Sequence, residues 1–195
     1  MAAGSAGRID RTAPLERTRS VFLLVDLQSR LLPAIDSGDR VLKTASALLD
    51  GARLLDVPVV FTEHCAEAIG GTDPGLLDQA PTGVVVSKVH FDATADGVLT
   101  RALDPIGRPD VVVAGTEAHV CVLQTALGLL RSGYRTFVVR DAIGSRKPVD
   151  KQAAIDRLDH AGADLVTAEM VLFEWLHRGD TSDFKALLPT IKALG

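Results

Sequence analysis

The sequence predicts a single-domain α/β fold, a six-stranded parallel sheet with helices on both faces, and two observations carry that prediction. Strand-length apolar runs alternate about six times with segments of helical spacing. The strand-like runs are uninterrupted rather than alternating, as in Val21-Phe-Leu-Leu-Val25, which marks strands buried on both faces and hence a parallel sheet with right-handed crossovers. No internal repeat or domain linker breaks the pattern.

Residues 1–19 are rich in Ala, Gly, Ser and Arg, carry Pro14 and show no sustained period, so they read as a flexible or loosely docked lead-in to a domain over 20–195. The first strand, 21–25, ends on an acid, Asp26. Residues 39–56 carry apolar side chains at helical spacing (Val41, Leu42, Ala45, Leu48, Leu49, Ala52, Leu55). Pro58 opens a second strand through Thr62, and 83–88 form a third that ends on Lys88. A helix is expected over about 96–103, a fourth strand over 110–114 and its helix over 118–131, stopped by Ser132-Gly133. The fifth strand spans 134–140. A helix over 148–161 has proline in its first turn and Gly162 just past its end. A short sixth strand, 164–167, and two helices over 168–176 and 182–194 close the chain.

Composition narrows the function classes. The 195 residues are enough for one domain that buries roughly 70% of its unfolded surface without staples. A net charge of −4 with acids and bases interleaved leaves no basic stripe to neutralise phosphates, and an aromatic content of 4% argues against base stacking, so nucleic acid is not an expected partner. No stretch approaches the roughly 20 apolar residues of a membrane span. Two cysteines, Cys65 and Cys121, without a signal-like apolar segment at the start, point to a reducing cytoplasm.

In open parallel sheets the ligand crevice lies at the carboxyl ends of the strands, where strand order reverses. If strands one and four flank that point, as in the order 3-2-1-4-5-6, Asp26, Lys88 and Cys121 reach one edge of the sheet. Each alone has a plain explanation in turn capping, snorkelling or core packing. Together they supply a base, a cation and a nucleophile. Cys121 stands at the expected start of a helix after Gly115, where backbone N–H groups and the helix dipole favour a thiolate, and the amides of the Gly115 to Cys121 loop suit an oxyanion hole.

Asp26-Leu-Gln28, Ser87-Lys88-Val-His-Phe91 and Gly115-Thr-Glu-Ala-His-Val-Cys121-Val, with Gln124-Thr-Ala behind, resemble the isochorismatase-like cysteine hydrolases over about residues 19–194. Arg131-Ser-Gly-Tyr134, Asp141-Ala-Ile-Gly-Ser-Arg146 and Thr167-Ala-Glu-Met-Val-Leu-Phe-Glu174 are closest to the isochorismatase domain-containing branch. The resemblance implies a catalytic triad of Asp26, Lys88 and Cys121. It also implies a non-proline cis peptide between Thr116 and Glu117, which points the Glu117 and Cys121 amides at one oxygen.

Thr62-Glu63-His64-Cys65-Ala66 does not reproduce the Asp-x-His metal cluster of nicotinamidases in this superfamily, so neither a metal nor another cofactor is expected. Leu31, Glu63, His64, Phe91 and His119 are candidates to line a substrate pocket by adjacency to the triad. The reading is a cytoplasmic cysteine hydrolase that cleaves a C–N bond of a small amide or related acyl compound through a Cys121 thioester. Its rivals are hydrolysis of another bond class on the same triad and a non-catalytic partner-binding protein of this fold. A receiver domain is excluded because its acceptor carboxylate would end strand three, where Lys88 stands, and a dinucleotide-binding fold because no G-x-G-x-x-G follows strand one. Met170-Val-Leu-Phe-Glu-Trp-Leu176 places more large apolar side chains on one short helix than its own sheet is expected to cover, so Trp175 is expected at a homo-oligomer interface.

Overall fold

A computed structural model describes residues 12–195. In chain order it contains β1 (Ser20–Val25), α1 (Gly38–Leu54), β2 (Val59–His64), α2 (Ala66–Ile69), α3 (Pro74–Gln79), β3 (Val84–Lys88) and α4 (Val98–Leu103). There follow β4 (Asp110–Thr116), α5 (Leu123–Arg131), β5 (Arg135–Gly144), α6 (Pro148–Ala161), β6 (Asp164–Val166), α7 (Ala168–Leu176) and α8 (Ser182–Lys192). The strands pair in parallel in the order β3-β2-β1-β4-β5-β6, as the sequence predicts.

β1 explains why the sheet is covered on both sides. All six of its residues are buried. Phe22 and Leu24 join a core with Leu48 of α1, Leu172 of α7 and Leu187 of α8, whereas Val21, Leu23 and Val25 join one with Leu99, Leu129 and Leu158 of α4, α5 and α6. Strand periodicity thus feeds two cores from one run of apolar residues. At the reversal point Val25 lies beside Thr62 of β2 and Gly115 of β4. Gly115 has φ +135°, and a Cβ there would collide with the Val25 carbonyl, so only glycine lets β4 come this close.

Several boundaries differ from the sequence expectations. Residues 1–11 of the expected lead-in lie outside the described residues, but 12–19 are firmly docked. Leu15 is fully buried, its amide donates to Glu174 Oε2 at 2.6 Å, and Arg135 Nη1 donates to the Ala13 carbonyl at 2.6 Å. One inserted leucine and two long-range hydrogen bonds leave no trace in composition or period. β5 runs to Gly144 because a register shift between Val113 and Gly115 lets it keep pairing with β4. The expected helix over 118–131 begins as a π-type turn, Ala118–Val122, before α5.

Trp175 is the main correction. It is 2% exposed, meets Phe22 edge-on at 6.3 Å between centroids, and its Nε1 donates to Ser20 Oγ at 3.0 Å. The indole finds both an apolar body contact and a polar partner at the start of β1, so it fills this chain's own core. Met170 and Phe173 remain half-exposed. No helix among the described residues is long and apolar enough to cross a membrane.

Candidate active site

Asp26 follows the last residue of β1 in a left-handed conformation, φ +50°, which an aspartate tolerates better than most residues. Neighbouring strands fix this turn: the Asp26 amide donates to the Thr62 carbonyl at 3.1 Å, and Thr116 Oγ1 donates to the Asp26 carbonyl at 2.6 Å. The carboxylate then meets two donors. Thr62 Oγ1 reaches Oδ1 at 2.6 Å and Lys88 Nζ reaches Oδ2 at 2.6 Å, with both ionic side chains fully buried. Charge-assisted bonds of this length compensate much of the desolvation cost of such a pair.

Cys121 stands against the same pair. It is 6% exposed and packs in the apolar cluster that includes Val122 and Ala126. Burial pushes its thiol up to about 12, with the Asp26 charge acting in the same direction and Lys88 only partly opposing it. The expectation that the helix start favours a thiolate is therefore corrected. Cys121 is the fourth residue of the π-type turn, and desolvation plus a facing carboxylate outweigh what a helix terminus offers. The resting group is a protonated thiol that faces the Asp26–Lys88 pair.

The loop before Cys121 is tightly held. The Thr116–Glu117 peptide is cis, and the Glu117 carbonyl accepts the Val120 and Val122 amides at 3.0 and 3.1 Å. The Glu117 side chain pairs outward with Arg146 Nε at 2.6 Å. His119 Nδ1 lies 3.0 Å from the buried Ser145 hydroxyl, and its Nε2 lies 4.0 Å from the Asp150 carboxylate.

Of the expected pocket residues, His64 and Phe91 come together, their rings 5.1 Å apart. Burial, then Lys88, lowers the His64 pKa, with Asp26 opposing, so the ring lies within electrostatic reach of the pair. His64 Nδ1 is buried without a hydrogen-bond partner. Glu63 is turned elsewhere, its carboxylate accepting the Thr72 amide at 2.7 Å. Leu31 sits half-buried in the loop after β1, its amide donating to the Gln28 carbonyl at 3.0 Å. Among the described residues no three His, Cys, Asp or Glu side chains group so as to hold a metal ion.

Sequence reasoning missed the roles of Thr62 and Gln28, and it named Thr116 only for its peptide bond, not for its hydroxyl. Gln28 is fully buried and ties the β1 loop to β2, accepting the His64 amide at 2.8 Å and donating to the His64 and Gly70 carbonyls. A polar residue ending an otherwise apolar strand was the available signal for Thr62. Gln28 stood inside a recognised motif without a role.

Residues 20–170 match the family model of the isochorismatase domain. The chain belongs to the isochorismatase domain family. It is 36% identical over 176 residues to isochorismatase domain-containing protein 2A of Mus musculus, covering 89% of this chain and 82% of that one. It is 33% identical to isochorismatase domain-containing protein 1 of Danio rerio, covering 91% of this chain but only 62% of that relative's length. Among solved structures, a MAR1 ribonuclease of Caenorhabditis elegans superposes with a TM-score of 0.86 at 31% identity, covering 92% of this chain and 93% of that one. YcaC of Pseudomonas aeruginosa, solved with hexane-2,5-diol and covalent acrylamide, superposes at 0.87 and 28% identity, covering 93% of each chain. YcaC of Escherichia coli, an octameric hydrolase of unknown specificity, gives 0.86 at 26% identity, covering 93% of this chain and 94% of that one.

Proposed function

We propose that this family member is a cysteine hydrolase that cleaves a C–N bond of a small amide or related acyl compound through a thioester on Cys121. The observation that carries the reading is the thiol buried against a carboxylate that is itself held by a lysine and a threonine. As Cys121 Sγ attacks the acyl carbon, its proton passes to Asp26, and the carbonyl electrons move onto oxygen beside the Glu117 and Cys121 amides. Collapse breaks the C–N bond, Asp26 returns the proton to the departing nitrogen, and the thioester remains. Water then attacks, gives a proton to Asp26, and releases the acid as Cys121 regains its proton. Lys88 stays charged and holds Asp26 in place throughout. No step calls for a metal or another cofactor.

The covalent acrylamide in the Pseudomonas neighbour supports this reading, since acrylamide is an acceptor for thiolates. The C. elegans neighbour is a ribonuclease, an activity that the residues beside Cys121 do not support here. Phosphodiester cleavage at the Cys121 crevice would need free cations there, whereas Lys88 is committed to Asp26 and Arg146 to Glu117. The octameric E. coli neighbour supports a homo-oligomer here. Its contacts would use exposed apolar residues such as Val84, Val85 and Val89 at the β3 edge rather than Trp175. A reducing cytoplasm suits a protein that keeps both cysteines free.

The test is a screen of small amides, ureides and nicotinamide with intact-mass detection of a covalent intermediate. Turnover is expected in wild type, with an acyl adduct on the peptide containing Cys121 and at least about a thousandfold loss in Cys121→Ala. Activity that survives in Cys121→Ala would remove the thioester.

A further inference from the structure

A cleft of about 490 Å³ opens between the start of α1, the later part of β5 and the first turns of α6. Arg40 from α1, Arg140 from β5 and Lys151 from α6 enter it from three separate elements, with Asp36 and Asp141 beside them. Three cations against two acids leave one net positive charge. Among the described residues, none of the three basic side chains makes an ion pair or a hydrogen bond to the protein. Neither acid forms an ion pair with them: Asp141 Oδ1 accepts the Ala168 amide at 2.9 Å at the start of α7, and Asp36 Oδ2 accepts the hydroxyl of Ser37, also in the cleft, at 3.4 Å.

Three like charges around one concave space repel, modestly for Arg40 and Arg140, which are solvent-exposed, and more for Lys151, which is half-buried. Lys151 registers that cost, since burial pulls its pKa below the ordinary lysine value and Arg40 and Arg140 add to the effect, against opposition from Asp141 and Asp36. Arginine forks and an ammonium converging from different elements fit the several oxygens of one oxyanion. We propose that this cleft is a second small-molecule site, separate from the Cys121 crevice, that takes the oxyanion group of a small phosphate- or carboxylate-bearing molecule. Its occupant would also reach Ser145, which lines the cleft and contacts His119, two residues from Cys121.

The experiment is isothermal titration calorimetry of the full chain with inorganic phosphate and, separately, with succinate, ionic strength being held constant with sodium chloride. Saturable binding of one equivalent of at least one of these ions is expected, and which one saturates tells a phosphate from a carboxylate ligand. Arg140→Gln and Lys151→Gln should each weaken it about tenfold or more, the loss of one charge-assisted contact. Arg53→Gln, on an exposed part of α1 outside the cleft, should leave it unchanged. Circular dichroism shows that the variants are folded. Failure of both ions to saturate at tens of millimolar, or unchanged binding in either cleft variant, would overturn the proposal.

Discussion

The two sides of the candidate active site are built on opposite principles. On the side of β1, β2 and β3, the Asp26–Lys88 pair is fully buried and closed by short hydrogen bonds, including that from Thr62. On the side of β4, Cys121 lies in apolar surroundings that raise its pKa, close to a carboxylate that raises it further. One side stabilises charge and the other resists it. The difference places the proton on the thiol at rest, and the proposed mechanism has Asp26 take it during attack.

The largest effect is expected when the cation of the buried pair is removed. Lys88→Met leaves Asp26 buried beside a thiol without its positive partner, and loss of about 3–5 kcal/mol of stability at neutral pH is expected. The same substitution removes the influence that lowers the Cys121 pKa, so the thiol should titrate still higher. Chemical denaturation of wild type and variant checks the first expectation. A change below about 1 kcal/mol would mean that the pair contributes little to the fold.

The nucleophile side can be sharpened through pH. Its thiol pKa rises from 9.0 to about 12 on folding, so the folded chain retains a proton that the unfolded chain gives up. The corresponding stability is present in full below pH 9 and is lost as pH rises toward 12, by up to about 4 kcal/mol. Cys121→Ser should lack this component, which denaturant titrations of the two proteins across that window would reveal. Parallel curves would show that the thiol ionises equally easily in both states.

Much of this architecture was legible in the sequence because it depends on period and punctuation. Uninterrupted runs such as Val21–Val25 and Val111–Ala114 marked the parallel strands, and Pro148 with Gly162 bracketed α6. That Asp26, Lys88 and Cys121 share one edge was expected if strands one and four flank the reversal point, and the family resemblance implied the same triad. Contacts between distant residues left no such trace. The docking of Leu15 on Glu174, the seating of Trp175 on Ser20, and the grip of Thr62 on Asp26 span 159, 155 and 36 positions respectively. The protonation of Cys121 was misread for a related reason. A helix start is visible in sequence, whereas the desolvation that overrides it depends on packing from several elements.

Asp26 is expected both to raise the Cys121 pKa and to receive its proton. Thiolate absorbance of Cys121, followed against pH in a Cys65→Ser background and corrected with a variant lacking both thiols, tests it most directly. A wild-type midpoint well above the ordinary 9.0, toward about 12, is expected, with a lower midpoint in Asp26→Asn even though that variant should no longer turn over substrate. A wild-type midpoint near neutrality, or a midpoint that Asp26→Asn leaves unmoved or raises, would contradict it.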